Sequence, residues 1–310
     1  MGLRINEATS NEIYESKQYT GSRKDNANVS GNQDTSSGVI YEHKTEPIPK
    51  SCVYTKEQIL GATANTENMQ FQNNLKILGF YSSSVATDGN LGSQESLRAI
   101  KNFQRVYGLP INGGSNEETR AKLNEVVTFY NNTLNDPDLS TVAKIVSGYS
   151  DYNEAIVKAD VARTWTFLRV GMGLTAKQAS GVMGNIMHES GASPTNAQDS
   201  AMPSKKLRDT TYTYSVTDNI AYGIIQWKNQ SRKQGLKDMA STMGSAVSDW
   251  NVQFAYLRSE LETSFKSAWE KIKDKDDIEN AAKVFCAEVE ITAWNNQRLE
   301  KANTVYNALA

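Results

Sequence analysis

Apolar residues along this chain recur at helical spacing, and Gly, Asn, Asp and Pro clusters mark where the helices stop. Phe71, Leu75 and Leu78 stand at i, i+4 and i+7, one face of a helix, with Gly79 as its stop signal. A second helix carries Leu97, Ile100, Gln104 and Tyr107, with Phe103 beside them, and ends at Gly108. A third opens on Ser115-Asn116-Glu117-Glu118, read as a capping box in which Ser115 and Glu118 satisfy each other's free backbone donors. Leu123, Val126 and Val127 give it an apolar face. Three short helices with tight glycine turns predict a small bundle over residues 51–133. Asn135-Asp136-Pro137-Asp138 is a turn cluster, and residues 134–155 are expected to form a linker. From 156 to 310 the pattern is again helical. Val161, Trp165, Leu168 and Val170 predict one helix, and Trp250, Phe254, Leu257 and Leu261 another. Ala281, Phe285, Val289 and Ile291, then Leu299, Val305 and Leu309, predict two more. Such stripes are far more often core than site. The fold class expected is mainly α, a larger helical domain preceded by the small bundle.

Composition narrows the chemistry. Residues 1–50 are rich in Asn, Ser, Thr, Lys and Glu and too poor in apolar residues to offset the entropy of ordering, so they are expected to be a disordered or anchoring tail. The 310 residues suit two globular units plus tails. No apolar run approaches the roughly 20 residues of a membrane span, so no membrane insertion is expected. The first twenty residues lack the basic and apolar regions of a secretory signal. A net charge of -2 disfavours a nucleic-acid partner. His43 and His188 are the only histidines, and Cys52 and Cys286 the only cysteines. A catalytic zinc site draws on several such ligands, and a cysteine nucleophile needs a nearby base, so neither is expected. No metal and no cofactor is expected.

The informative stretch is residues 175–191. Thr175 and Gln178 form a capping box at a helix start, and Gly191 and Pro194 mark its end. Ala179, Val182, Met183 and Ile186 define the buried stripe, and Glu189 falls on its margin in the last turn. A partly desolvated carboxyl near the negative end of a helix dipole is disfavoured from ionising, which suits a general acid. Gly181 and Gly184 are expected to permit close packing of another helix, since glycine within a helix otherwise costs about 1 kcal/mol. A second cluster, Tyr222-Gly223-Ile224-Ile225-Gln226-Trp227, suits a short buried strand or turn. Its aromatic residues are natural sugar platforms, and Gln226 offers both donors and an acceptor.

Two resemblances rest on these residues. Leu78-Gly79-Phe80, Asp88-Gly89 with Gly92, Phe103-Gln104 with Gly108-Leu109, and Gly113 with Thr119 resemble the three-helix peptidoglycan-binding domain. One added residue places Ser96 where that family usually has Thr. Gly184-Asn185 with Glu189-Ser190, and the Tyr222 to Trp227 segment followed by Arg232, resemble the phage tail lysozyme family of the lysozyme-like superfamily. Trp250-Asn251-Val252-Gln253 with Glu260, and Phe285 with Glu290, Arg298, Ala302 and Tyr306, fit the same pattern. Ile291 follows Glu290 where a proline is common.

The resemblance implies a lysozyme-like catalytic domain over 156–310, cleaving the β-1,4 bond between N-acetylmuramic acid and N-acetylglucosamine. Glu189 becomes the general acid, and Ser190, Tyr222, Gln226 and Trp227 become cleft residues that orient the sugar or the Glu. Common glycosidases use two carboxylates, and Asp199, Asp209 and Asp218 all lie between the motifs. A lytic transglycosylase, in which the muramic acid's own 6-hydroxyl attacks, needs only one. Hydrolysis, transglycosylation and a catalytically silent wall-binding role are the readings left open, hydrolysis first. Peptidoglycan is the expected partner, with phage tail or injection-device proteins as a second through the tail. The protein would pass from host cytoplasm to wall as an endolysin, or ride on a virion.

Overall fold

The computed structural model describes residues 66–198 and 206–310. The expected tail, the start of the bundle before residue 66, His43, Cys52 and Asp199 lie outside the described residues. Among those described, the protein is built from α-helices, with no strand beyond two isolated bridges.

The first unit comprises α1 (Thr66–Ile77), α2 (Gln94–Tyr107) and α3 (Glu117–Leu134). Phe71, Leu75, Ile100, Phe103, Leu123 and Val126 are buried between them, as their spacing predicts. Two buried glutamines tie the connecting turns to the helices. Gln72 Nε2 donates to Asp88 Oδ1 at 3.1 Å, and its Oε1 accepts from the Gly89 N–H at 2.7 Å. Gln104 Oε1 accepts from the N–H of Gly113 at 2.8 Å, and Nε2 reaches Thr119 Oγ1 at 3.1 Å. Ser96 is buried and donates to the Asn90 carbonyl at 2.7 Å, so the unusual residue serves the turn. The cap of α3 corrects the sequence reading by one residue. Asn116, not Ser115, accepts from the Thr119 N–H at 2.9 Å, in keeping with the strong N-cap preference of Asn.

The expected linker is folded. Residues 139–146 form α4 (Leu139–Ala143) and a 3-10 turn (Lys144–Val146), and Leu139, Val142 and Val146 are buried. Helix α4 packs on α5 (Glu154–Thr166) and on the C-terminal helix. The turn residues before it are legible in the sequence; the burial of Leu139, Val142, Ala143 and Val146 is decided by packing. Nor do the two units stand apart. One apolar cluster runs from Phe71 to Val305, and Arg258 donates through Nε to the Val106 carbonyl at 2.9 Å and through Nη2 to that of Gly171. Asn251 Nδ2 reaches the Leu78 carbonyl at 3.2 Å, and Asn102 Nδ2 that of Met243 at 2.9 Å.

Helix α5 passes at Thr166 into a π turn (Phe167–Gly171), and α6 (Ala176–Glu189) follows. The remainder is α7 (Gln230–Met243), α8 (Trp250–Glu262), α9 (Lys266–Lys273), α10 (Ile278–Val284), a second π segment (Phe285–Glu290) and α11 (Asn296–Leu309). Ile291, placed in the apolar stripe by spacing, is 71% exposed and left-handed at φ 55°. A π segment closes each turn with one residue more than an α-helix, so the 3.6-residue pattern cannot carry through it. Cys286, in the same segment, is buried and free.

Helix α6 is the centre of the second unit. Its capping box forms: Gln178 N–H to Thr175 Oγ1 at 3.3 Å, Thr175 N–H to Gln178 Oε1 at 3.0 Å. Every residue from Gln178 to Met187 is buried, on all faces and not only along the expected stripe. The glycines make this possible. A Cβ on Gly181 would lie 2.8 Å from the Ala282 nitrogen in α10, and one on Gly184 would lie 2.6 Å from the Arg298 carbonyl oxygen in α11. Both helices therefore touch α6 backbone to backbone, as the glycine spacing suggests.

Candidate active site

Glu189 is the last residue of α6, and its side chain is 22% exposed. The residue after it fixes its surroundings. Ser190 is fully buried, and its Oγ lies 2.8 Å from the Ile224 carbonyl oxygen and 3.2 Å from that of Ile186. One hydroxyl thus pins the end of α6 to the segment expected opposite.

That segment is a closed turn. The Tyr222 N–H bonds the Trp227 carbonyl at 3.1 Å and the Trp227 N–H that of Tyr222 at 2.9 Å, with Gly223 at φ 81° and Gln226 at φ 56° inside the loop. Gly223 is required twice over. Its φ is left-handed, and a Cβ there would lie 2.7 Å from Gln253 Oε1. Gln253, fully buried in α8, holds the turn from behind: Oε1 accepts from the Ile224 N–H at 3.0 Å, and Nε2 donates to the carbonyls of Pro194 at 2.7 Å and Val247 at 2.8 Å. Gln226 is partly exposed and donates to the carbonyls of Gly223 at 2.9 Å and Asn196 at 3.2 Å.

The aromatic residues of this turn lie inside the protein. Trp227 is 0% exposed, and its Nε1 donates to Glu260 Oε2 at 2.8 Å. Glu260 is in turn gripped by Arg232, Nε to Oε1 at 2.7 Å and Nη2 to Oε2 at 2.8 Å. Tyr222 is also buried, between Tyr212 and Tyr214, and burial followed by the charge of Asp209 pushes its hydroxyl up to about 12. Neither ring has an open face on which a sugar could stack. Ser190 and Trp227 support the site's shape; Glu189 and Gln226 are the expected site residues that reach solvent.

Behind Glu189 stands a group that the motifs name but assign no role. Arg298, from α11, is 2% exposed, and its Nη2 pairs with Glu189 Oε1. Its Nη1 donates to Glu290 Oε2 at 2.6 Å and to Asn185 Oδ1 at 2.8 Å. Asn185 is itself anchored, Nδ2 to the carbonyls of Gly181 at 2.9 Å and Ala282 at 3.0 Å. Burial, then the charge of Glu189, hold the Glu290 carboxyl well above the ordinary range. His188 lies beside them. Burial, then Arg298 and Lys301, push it down to about 4, and its Nε2 is 3.1 Å from Asn295 Nδ2. It is neutral at physiological pH.

Of the carboxylates between the motifs, Asp218 is committed elsewhere. It receives Lys233 Nζ at 2.5 Å and the Tyr212 hydroxyl at 2.6 Å, and Lys233 is fully buried. Removing that carboxylate would leave a buried cation unpaired. Asp209 accepts from the Thr211 N–H at 2.8 Å and its hydroxyl at 2.6 Å. Burial raises its carboxyl, but the donors of Thr211 and Tyr212 and the charge of Lys206 outweigh this and hold it below the usual range. Asp209 is thus an ionised group near Tyr222. Among the described residues no cluster of His, Cys, Asp and Glu fits a metal ion.

Neither a curated protein nor a solved structure is significantly similar to the chain. Two family models do match, and they meet the two units described above: that of the peptidoglycan binding domain over residues 66–123, and that of phage tail lysozyme over residues 160–309. The second contains Glu189, the Tyr222–Trp227 turn, Glu290 and Arg298 together. The chain is thus similar to phage tail lysozyme over its second unit and to the peptidoglycan binding domain over its first.

Proposed function

We propose that this protein cleaves the glycan strand of peptidoglycan with Glu189 as general acid, as a muramidase. The observation that supports this most is the placement of one half-open carboxyl at the end of a buried helix, fastened through Ser190 to the turn that carries Gln226. A proton on Glu189 passes to the bridging oxygen as the bond from the anomeric carbon breaks, and the leaving sugar departs as an alcohol. Water then adds to the anomeric carbon and returns a proton to the carboxylate. Gln226, held by two carbonyls at its amide nitrogen, keeps its oxygen free to accept from a sugar hydroxyl. The N-terminal helical unit, docked on the catalytic one, would hold the enzyme to the wall.

Clearing of wall suspensions tests the assignment. Glu189→Gln should lose about 10²–10⁴ of the rate, the range of a general acid; lysis equal to wild type would remove Glu189 from the mechanism. Mass analysis of the cut muropeptides separates the chemistries. Reducing N-acetylmuramic ends are expected; 1,6-anhydro ends would instead show the sugar's own hydroxyl as nucleophile. Intact walls after treatment with wild type would favour a silent binding role.

A further inference from the structure

The group behind Glu189 contains two carboxyls and one guanidinium. Arg298 lies between them, Nη1 to Glu290 at 2.6 Å and Nη2 to Glu189, with both Arg298 and Glu290 side chains 2% exposed. Among the described residues no second cation pairs with either carboxyl. Glu290 Oε1 and Arg298 Nε are buried with no hydrogen-bond partner. With both carboxyls ionised the largely buried cluster would carry one uncompensated negative charge, which is strongly disfavoured. The cheaper state keeps one proton.

The neighbours do not supply the missing charge. On α6, burial and then the charges of Arg298 and Lys301 favour neutral His188, and Asn185 is uncharged. On α11, burial lowers Lys301, which pairs with neither carboxyl. On the π segment, burial raises the Cys286 thiol, so it is uncharged as well. From α7, Arg232 reaches the neighbouring Val289 carbonyl at 2.8 Å, but its guanidinium is held by Glu260, and its pull on Glu290 ranks behind burial, Glu189 and Arg298.

We propose that Glu290 is a positioning residue that, by competing with Glu189 for Arg298, keeps one proton within the pair so that Glu189 is charged with it for catalysis. This rests on reading Glu189 as the general acid. In the resting arrangement Glu290 holds the proton and Arg298 neutralises Glu189. When the proton passes to Glu189, the Glu290 carboxylate takes over the guanidinium, and the number of protons and the net charge of the cluster are unchanged. Glu189 then gives the proton to the bridging oxygen, and the attacking water replaces it. The two carboxyls titrate as a pair, and the second proton to leave does so at raised pH because it would create a second negative charge on one cation.

Glu290→Gln removes the competitor. Arg298 would then answer to Glu189 alone, and the cluster would no longer need to keep a proton. The full-length variant should show the basic limb of its pH–rate profile for wall clearing moved down by about one unit or more, with kcat reduced at least about tenfold near neutrality and KM within about twofold. Activity should recover toward acid pH, and Glu290→Asp should restore the basic limb in part. A Glu290→Gln profile of wild-type shape, at whatever overall rate, would overturn the proposal, since a merely structural loss scales the profile without moving it. Should Glu290→Gln not fold, carbon-13 NMR titration of glutamate carboxyls in wild type decides: one carboxyl is expected to stay protonated at least one unit above the ordinary value of about 4.3, and ordinary titration of all of them overturns the proposal. Glu189→Gln separates the two readings. If it clears walls like wild type, the general-acid assignment falls; if it is inactive while Glu290→Gln keeps its profile, only the role of Glu290 falls.

Discussion

At the scale of single residues, the site is a small exposed edge on a large buried support. Trp227 makes the point. Its position beside Gln226 suggests a sugar platform, yet its ring is enclosed and its N–H is spent on Glu260. Trp227→Phe removes the donor to a buried carboxylate and leaves a small cavity where the second ring lay, so it should destabilise the fold by roughly 1.5–3 kcal/mol or more. Urea unfolding measures that loss. With the protein still folded, KM for wall material should be unchanged; a KM raised tenfold without loss of stability would return Trp227 to the substrate's side. Ser190 follows the same logic, because its hydroxyl is used by two backbone carbonyls.

At the scale of elements, the candidate site depends on how closely α6 meets its neighbours. Gly184 lets α11 approach until its backbone nearly touches α6, and Arg298, whose carbonyl makes that contact, sends its side chain to Glu189. Gly184→Ala would place a methyl against backbone atoms that cannot rotate away, 2.6 Å from the Arg298 oxygen and 2.7 Å from the Ala302 nitrogen. The expected cost is about 1–3 kcal/mol or more, read as a lower melting temperature. Because the helix shift also moves Arg298, lysis at permissive temperature should fall with it. Stability and activity near wild type would mean that α11 can yield without moving the guanidinium. The π segment before Ile291 serves the same region. It ends at Glu290 and closes on a β-branched residue in left-handed backbone, a conformation that costs roughly 1–2 kcal/mol.

At the scale of the whole molecule, the N-terminal bundle is packed onto the second helical unit. The apolar cluster is continuous across the two units, α4 fills the space where a linker was expected, and Arg258 and Asn251 bond carbonyls of the bundle. Calorimetry of the full chain should therefore give one cooperative unfolding transition. Two transitions separated by ten degrees or so would show that the units fold independently and that the seam between them is weak.

Local order was written in the chain itself. Helix spacing, the Thr175–Gln178 box, the glycines of α6 and the rim position of Glu189 follow from periodicity and backbone sterics, which act between residues a few positions apart. The Asn116 cap, the π segments and the folded 139–146 stretch escaped because near-equal local alternatives were settled by packing. Only the tertiary structure joined Glu189 to Arg298 and Glu290, buried Tyr222 and Trp227, and gave Asp218 to Lys233. Those pairings cross from α6 to α11 or from one loop to another helix. Their energy depends on distance and desolvation, which no spacing along a single chain contains.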